Sequence, residues 1–262
     1  MFSGKLNLTI KTLLMMLAVA FMAPAAAQAS LTAKANHDHI KIDFFYHGST
    51  VSVRGVSDPG TDLIIKITSP EGHQALKEKG KAAGFLWMNV GELELDKTPN
   101  LYYVHGTKEL EDIVGPEDRD KYVLGYAALG KHMEISPVKD PADRAKWFEE
   151  FVKYKESKKL YQSGSGKIAV DERDGQQKYY ILFDWPYQAP PGNYLVTVYE
   201  VKDRKVIEQA ESKVLVEQVG MVKLLSDMSK NNGMLYGIIS IISAVGAGFG
   251  VGLVFRKGGG AH

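Results

Sequence analysis

Three patterns in the sequence predict a mainly β chain: alternation of period two across residues 39–105 and 167–217, helical spacing between them, and an uncharged apolar run near the C-terminus. The fold class they define is an immunoglobulin-like antiparallel sandwich with a helical insertion, followed by one C-terminal transmembrane helix. Of 262 residues 45% are hydrophobic and 24% charged, the balance of a chain with a sizeable core. Lys and Arg total 32 against 31 Asp and Glu, so no bulk field gathers nucleic acid. With no cysteine, disulfides, thiolate metal sites and a Cys nucleophile are excluded together.

The first element is a targeting segment. Lys5 and Lys11 precede an apolar run at 13–27 that is too short and Ala-rich for a good span, and Ala27-Gln28-Ala29 has the small-x-small form that signal peptidase accepts. Residues 1–29 therefore read as an export signal and Ser30 as the mature N-terminus, with an uncleaved N-terminal anchor as the alternative.

The domain follows over 30–218. Ile40, Ile42 and Phe44 alternate with Lys41 and Asp43, and Val51 and Val53 with Ser52 and Arg54, which is the pattern of half-buried strands. Asp58-Pro59-Gly60 supplies turn chemistry before Leu63, Ile65 and Ile67, and Ser69-Pro70-Glu71-Gly72 ends that strand. Strands at 85–95 and 101–105 complete the first half. The spacing places Trp87 and Asn89 on one strand face, with the tryptophan in the core and the amide bonded to backbone.

Between about 109 and 160 the period changes. Pro116 opens a helix with Tyr122, Tyr126 and Leu129 on one side, and Asp140-Pro141 reads as an N-cap with Pro at the first helical position. Trp147, Phe151 and Tyr154 then form an apolar stripe expected to face the core. Ser163-Gly164-Ser165-Gly166 is expected to return the chain flexibly. Strands follow at 167–171, 178–184, 193–201 and 205–217, punctuated by Asp174-Gly175 and by Ala189-Pro190-Pro191-Gly192. With no disulfide, burial of Trp87, Trp185 and the tyrosines must hold the sheets together.

Residues 219–233 form a juxtamembrane segment whose Val222, Leu225 and Met228 fall at helical spacing. It reads either as a short helix on the lipid surface or as an extension of the membrane helix, and Asn231-Asn232-Gly233 favours a break. The uncharged run 234–255 would reach roughly 33 Å, enough for the hydrocarbon core. Arg256 and Lys257 begin a tail, 256–262, that the positive-inside rule keeps in the cytoplasm. The resulting expectation is a single-pass protein of the inner (plasma) membrane with its domain in the periplasm. Ser240, Ala244, Gly248 and Gly252 recur every four residues behind Tyr236, a ridge of small side chains that lets a membrane protein or a second copy approach closely.

Candidate chemistry is sparse. His37 and His39, with His47 nearby, are the nameable metal ligands, set against a solvated N-terminal segment. His73, His105 and His132 are scattered, and no G-x-S-x-G, H-E-x-x-H or P-loop pattern is present. Gly246, Gly248, Gly250 and Gly252 lie in an apolar span without a Lys, so they belong to membrane packing. The chain thus reads as a non-enzymatic accessory protein without a cofactor, contacting lipid and a membrane partner but not nucleic acid. The rival is a periplasmic ligand or metal sensor.

Three stretches, Gly84-Phe85-Leu86-Trp87-Met88-Asn89, Pro99-Asn100-Leu101-Tyr102-Tyr103, and Leu235-Tyr236-Gly237 ahead of Phe255-Arg256, carry a further resemblance. The chain resembles the Alph_Pro_TM family of transmembrane proteins, first described from alphaproteobacteria. The resemblance implies this topology and no catalytic residue, and it implies an accessory role beside a sulfite-exporter-type permease.

Overall fold

A computed structural model describes residues 31–82, 84–138, 140–173 and 175–256. The expected export signal, Asp174 of the expected turn, and Lys257 with the tail beyond it lie outside the described residues. The alternation in the sequence resolves into two facing sheets. One joins β1 (Lys34–Ala35), β3 (Ser49–Ser57), β11 (Gln176–Trp185) and β10 (Ala169–Arg173), in that order and all antiparallel. The other runs β2 (His39–Ile42), β13 (Lys205–Gln218), β12 (Gly192–Lys202), β4 (Asp62–Thr68), β7 (Tyr102–Gly106) and β9 (Tyr161–Ser165). Within it, β2 lies parallel to β13 and β9 parallel to β7.

Period two decides which side chains meet. On β11, Gln177, Tyr179, Ile181, Phe183 and Trp185 are buried while the residues between them are exposed. On the opposite sheet Val51 and Val53 of the first sheet find Leu63, Ile65, Ile67, Tyr194, Val196 and Val198 in the same core. Tyr103 stacks on Phe183 at 5.8 Å, and Trp185 meets Tyr194 edge-on at 4.7 Å, so aromatic contacts bridge the sheets. Each fully buried Ile, Leu or Val contributes about 1.5–3 kcal/mol.

β4 and β12 are buried on both faces because the helical insertion covers the outer one. Its elements are α1 (Leu110–Ile113), α2 (Pro116–Tyr122), α3 (Tyr126–His132), β8 (Glu134–Ser136) and α4 (Pro141–Ser157). Tyr122 packs on Tyr199 at 5.1 Å, Lys66 Nζ donates to Tyr122 O at 2.6 Å, and Tyr102 Oη donates to Val123 O at 2.8 Å. Asp140 caps α4 as its spacing predicts, its carboxylate accepting from Ala142 N at 2.9 Å. Three local expectations change. The helix expected after Pro116 is two, broken where Val123 turns left-handed at φ 51°. The stripe on α4 is only partly core: Phe151 is buried and Trp147 half-buried, but Tyr154 faces out. The Ser-Gly return is no free linker, since residues 161–165 pair with 102–106 as β9.

β5 (Glu71–Ala82) and β6 (Leu86–Pro99) form a hairpin outside both sheets, joined at its base by β8. After β13 the chain enters α5 (Gly220–Asn231), breaks at Asn232, and continues as α6 (Gly233–Arg256). Because β2 is parallel to β13, with Ile42 opposite Gln218 and Val219 N donating to Ile42 O at 2.9 Å, turn 43–48 lies at the end where the chain leaves the domain. Loop 186–191 lies at that end too, since Gly192 is opposite Val216 and Trp185 opposite Ser49. The α4–β9 junction joins them through Tyr103 Oη, which donates to Lys159 O at 2.5 Å.

Candidate functional site

The β5–β6 hairpin is the largest feature that the core does not explain. At about 3.3 Å per residue β5 is roughly 40 Å long. Its base is fixed by the Lys97–Glu134 ion pair at 2.6 Å, by hydrogen bonds between His132 and Glu71 at 2.7 Å and between His73 and Asp96 at 2.8 Å, and by Leu76, Leu93, Leu95 and Ile135 packed toward Trp147 and Phe151. The Asp96 carboxylate raises the pKa of His73.

Beyond that base none of the described residues covers the hairpin. Gly84 takes φ +82° at the turn, and Phe85 N donates to Ala82 O at 3.4 Å. Phe85 is 78% and Trp87 67% exposed, with Leu86, Met88 and Val90 exposed beside them. The expected burial of Trp87 is therefore corrected: alternation gives it a strand face, but no second sheet meets that face. Cross-strand pairing sets Trp87 opposite Lys81 and Asn89 opposite Lys79, so one side of the tip is aromatic, amide and ammonium, and Lys81 Nζ lies 5.5 Å from the Trp87 ring centroid. The other side carries Leu86, Met88 and Val90, and Val90 lies so close across Gly80 that a Cβ there would come within 2.6 Å of it. Apolar side chains of this size left in water make the tip a candidate interaction surface.

α6 is the second such surface. Its stretch 233–253 has a mean hydropathy of 1.9 and none of it is buried in the protein. Ser240, Ala244, Gly248 and Gly252 lie on successive turns of one unbroken helix, and Ser240 Oγ donates to Tyr236 O at 2.8 Å. Apart from the helix's own backbone and the adjoining residues, no atom of the described residues lies within 4 Å of a Cβ position at Gly248 or Gly252. Arg256 ends the helix.

The histidines do not converge. His37 is exposed outside any strand, His39 Nε2 pairs with Glu217 at 2.8 Å, and His47 Nδ1 contacts Phe45 O within its own turn. Among the described residues no three His, Cys, Asp or Glu side chains are grouped to hold a metal ion. The buried titratable groups lie within the packed interior. His105 sits against Phe183, and burial lowers its pKa to about 4. Glu200 accepts from Thr61 Oγ1 at 2.9 Å and Asp58 N at 3.0 Å, and burial raises its pKa. A polar cleft of about 690 Å³ opens at the exit end between His47, Thr50, Lys158, Asp184 and Tyr187.

The hairpin tip was legible as a motif but not as a surface. The missed signal is β5 itself: Lys77, Glu78, Lys79 and Lys81 offer no apolar face on which Trp87 could be covered.

Comparison with known proteins adds the following. A protein-family profile described as "Putative transmembrane protein (Alph_Pro_TM)" matches residues 30–257. No curated protein matches the chain. Among solved structures, domain 1 of VCBP3 from Branchiostoma floridae is similar at 11% identity over 74% of this chain and 98% of that one, with a TM-score of 0.24. A family 123 glycoside hydrolase from Clostridium perfringens is similar at 9% identity over 74% of this chain and 28% of that one, also with a TM-score of 0.24. At such scores neither likeness carries an argument.

Proposed function

The chain belongs to the Alph_Pro_TM family, and from that premise we propose that it is a non-enzymatic accessory protein, anchored in the inner membrane by α6 and docking a membrane partner through its hairpin tip. The export signal and the Arg256–Lys257 pair support a single pass with the domain in the periplasm. The strand orders β1-β3-β11-β10 and β2-β13-β12-β4-β7, the latter extended by β9, follow those of the two sheets of a variable-type immunoglobulin sandwich, which supports that fold. The family resemblance points to a sulfite-exporter-type permease as the partner.

The observation that carries the reading is the exposed tip of β5–β6. Phe85, Leu86, Trp87 and Met88, exposed together, would give a docking hairpin a compact apolar contact with Lys79 and Lys81 at its rim. A photo-crosslinking amino acid in place of Trp87, in cells expressing the full chain, should trap one membrane protein. The same group in place of the outward-facing Leu182 on β11 should trap none. Equal trapping at both positions, or at neither, rejects the docking role.

A further inference from the structure

We infer that the exit end of the domain is itself a bilayer-binding surface, in which Phe44 and Phe45 enter the headgroup–acyl boundary beside α5. The inference rests on the reading of α6 as a membrane span, and it adds a second, independent contact between the domain and lipid. Phe44 and Phe45 are 74% and 77% exposed, paired edge-on at 5.4 Å. They project because Phe45 N donates to Asp43 Oδ1 at 2.9 Å, a short local turn that points both rings away from the core.

Topology supplies the occupant. Ile42, two residues before Phe44, is opposite Gln218, two residues before α5 begins, so the aromatic pair and the chain's exit toward α6 are neighbours. Met221, Leu224, Leu225 and Met228 recur on α5 at i, i+3, i+4 and i+7, with Lys223 and Asp227 between them and Lys230 just beyond, and none is buried in the protein. Such a helix, lying ahead of a membrane span, rests in the interfacial plane. Tyr187 is exposed on the loop at the same end, and Lys158 and Lys159 flank it across the cleft, which fits phenol and ammonium groups at headgroup level.

The absence of cysteine makes the test clean. Single-cysteine full-length variants Phe45→Cys, Leu224→Cys, Val245→Cys and Ile207→Cys, each carrying a nitroxide, would be reconstituted in vesicles of phosphatidylethanolamine with a minority of phosphatidylglycerol. Position 45 is exposed, so the label displaces no core contact. Collision with oxygen relative to a water-soluble nickel chelate reports depth. Labels at 45 and 224 should show a ratio about threefold above that at 207, on the far end of β13. A label at 45 as aqueous as that at 207, with 245 deep in the bilayer, overturns the inference and leaves the aromatic pair for a protein partner. An aqueous label at 245 overturns the span itself.

Discussion

At the scale of single residues the two tryptophans Trp87 and Trp185 show what alternation can and cannot say. Both occupy strand positions of the same parity pattern, yet Trp185 is 2% exposed against Tyr194 and Trp87 stands in solvent. Period two assigns a side chain to a face. Whether another sheet covers that face depends on contacts remote in sequence. His105 carries a sharper consequence. It is 1% exposed on the inner face of β7, and burial, with Lys167 adding repulsion, holds its pKa at about 4. In the unfolded chain it titrates near 6.5. The unfolded state therefore binds more protons between those values, and the stability tied to neutral His105 is complete above about pH 6.5 and is lost as pH falls toward 4. His105→Leu in the full chain should flatten the fall by on the order of 2–3 kcal/mol between pH 7 and pH 4, measured by urea unfolding followed through near-UV circular dichroism. A variant with the wild-type slope would place the titrating group elsewhere.

Among elements, β4, β7, β11, β12 and β13 are plain in the sequence because apolar residues alternate or run together. β5 and β9 are not, the first because Lys-Glu-Lys-Gly-Lys presents no apolar period, the second because Gln-Ser-Gly-Ser has strand form only through its parallel pairing with β7. The helical insertion is legible as a change of period, but not the left-handed break at Val123. α6 supports a prediction of its own. Close approach of another helix in lipid needs the small ridge, and a Leu side chain at Gly248 and Gly252 would hold it off. Gly248→Leu with Gly252→Leu should weaken association with the partner, or self-association, about tenfold. Membrane insertion should persist, since Leu is at least as apolar. Ile239→Leu and Val245→Leu, off the ridge, should leave association unchanged in quantitative co-purification. Equal effects on and off the ridge would make α6 an anchor only.

For the whole molecule, the proposed arrangement is an export signal, a strand domain, an apolar helix and a basic tail. A reporter active only outside the cytoplasm should work when fused after Asn232 and fail after His262, and the reverse pattern would invert the molecule. What the sequence leaves unsaid at this scale is that β2, near the start of the described domain, pairs with β13 at its end, because parallel strands carry no local signature and their pairing is decided by the closing of the fold. The parallel pairing of β2 with β13 has a mechanical consequence. Load applied between the N-terminal side of β2 and α6 draws the two parallel strands in opposite directions along their length, and the hydrogen bonds between them lie across the line of pull. Tension along the strand then strains the whole ladder at once in shear instead of peeling it bond by bond, so the strand that tethers the domain is also the one best placed to resist being drawn out of it.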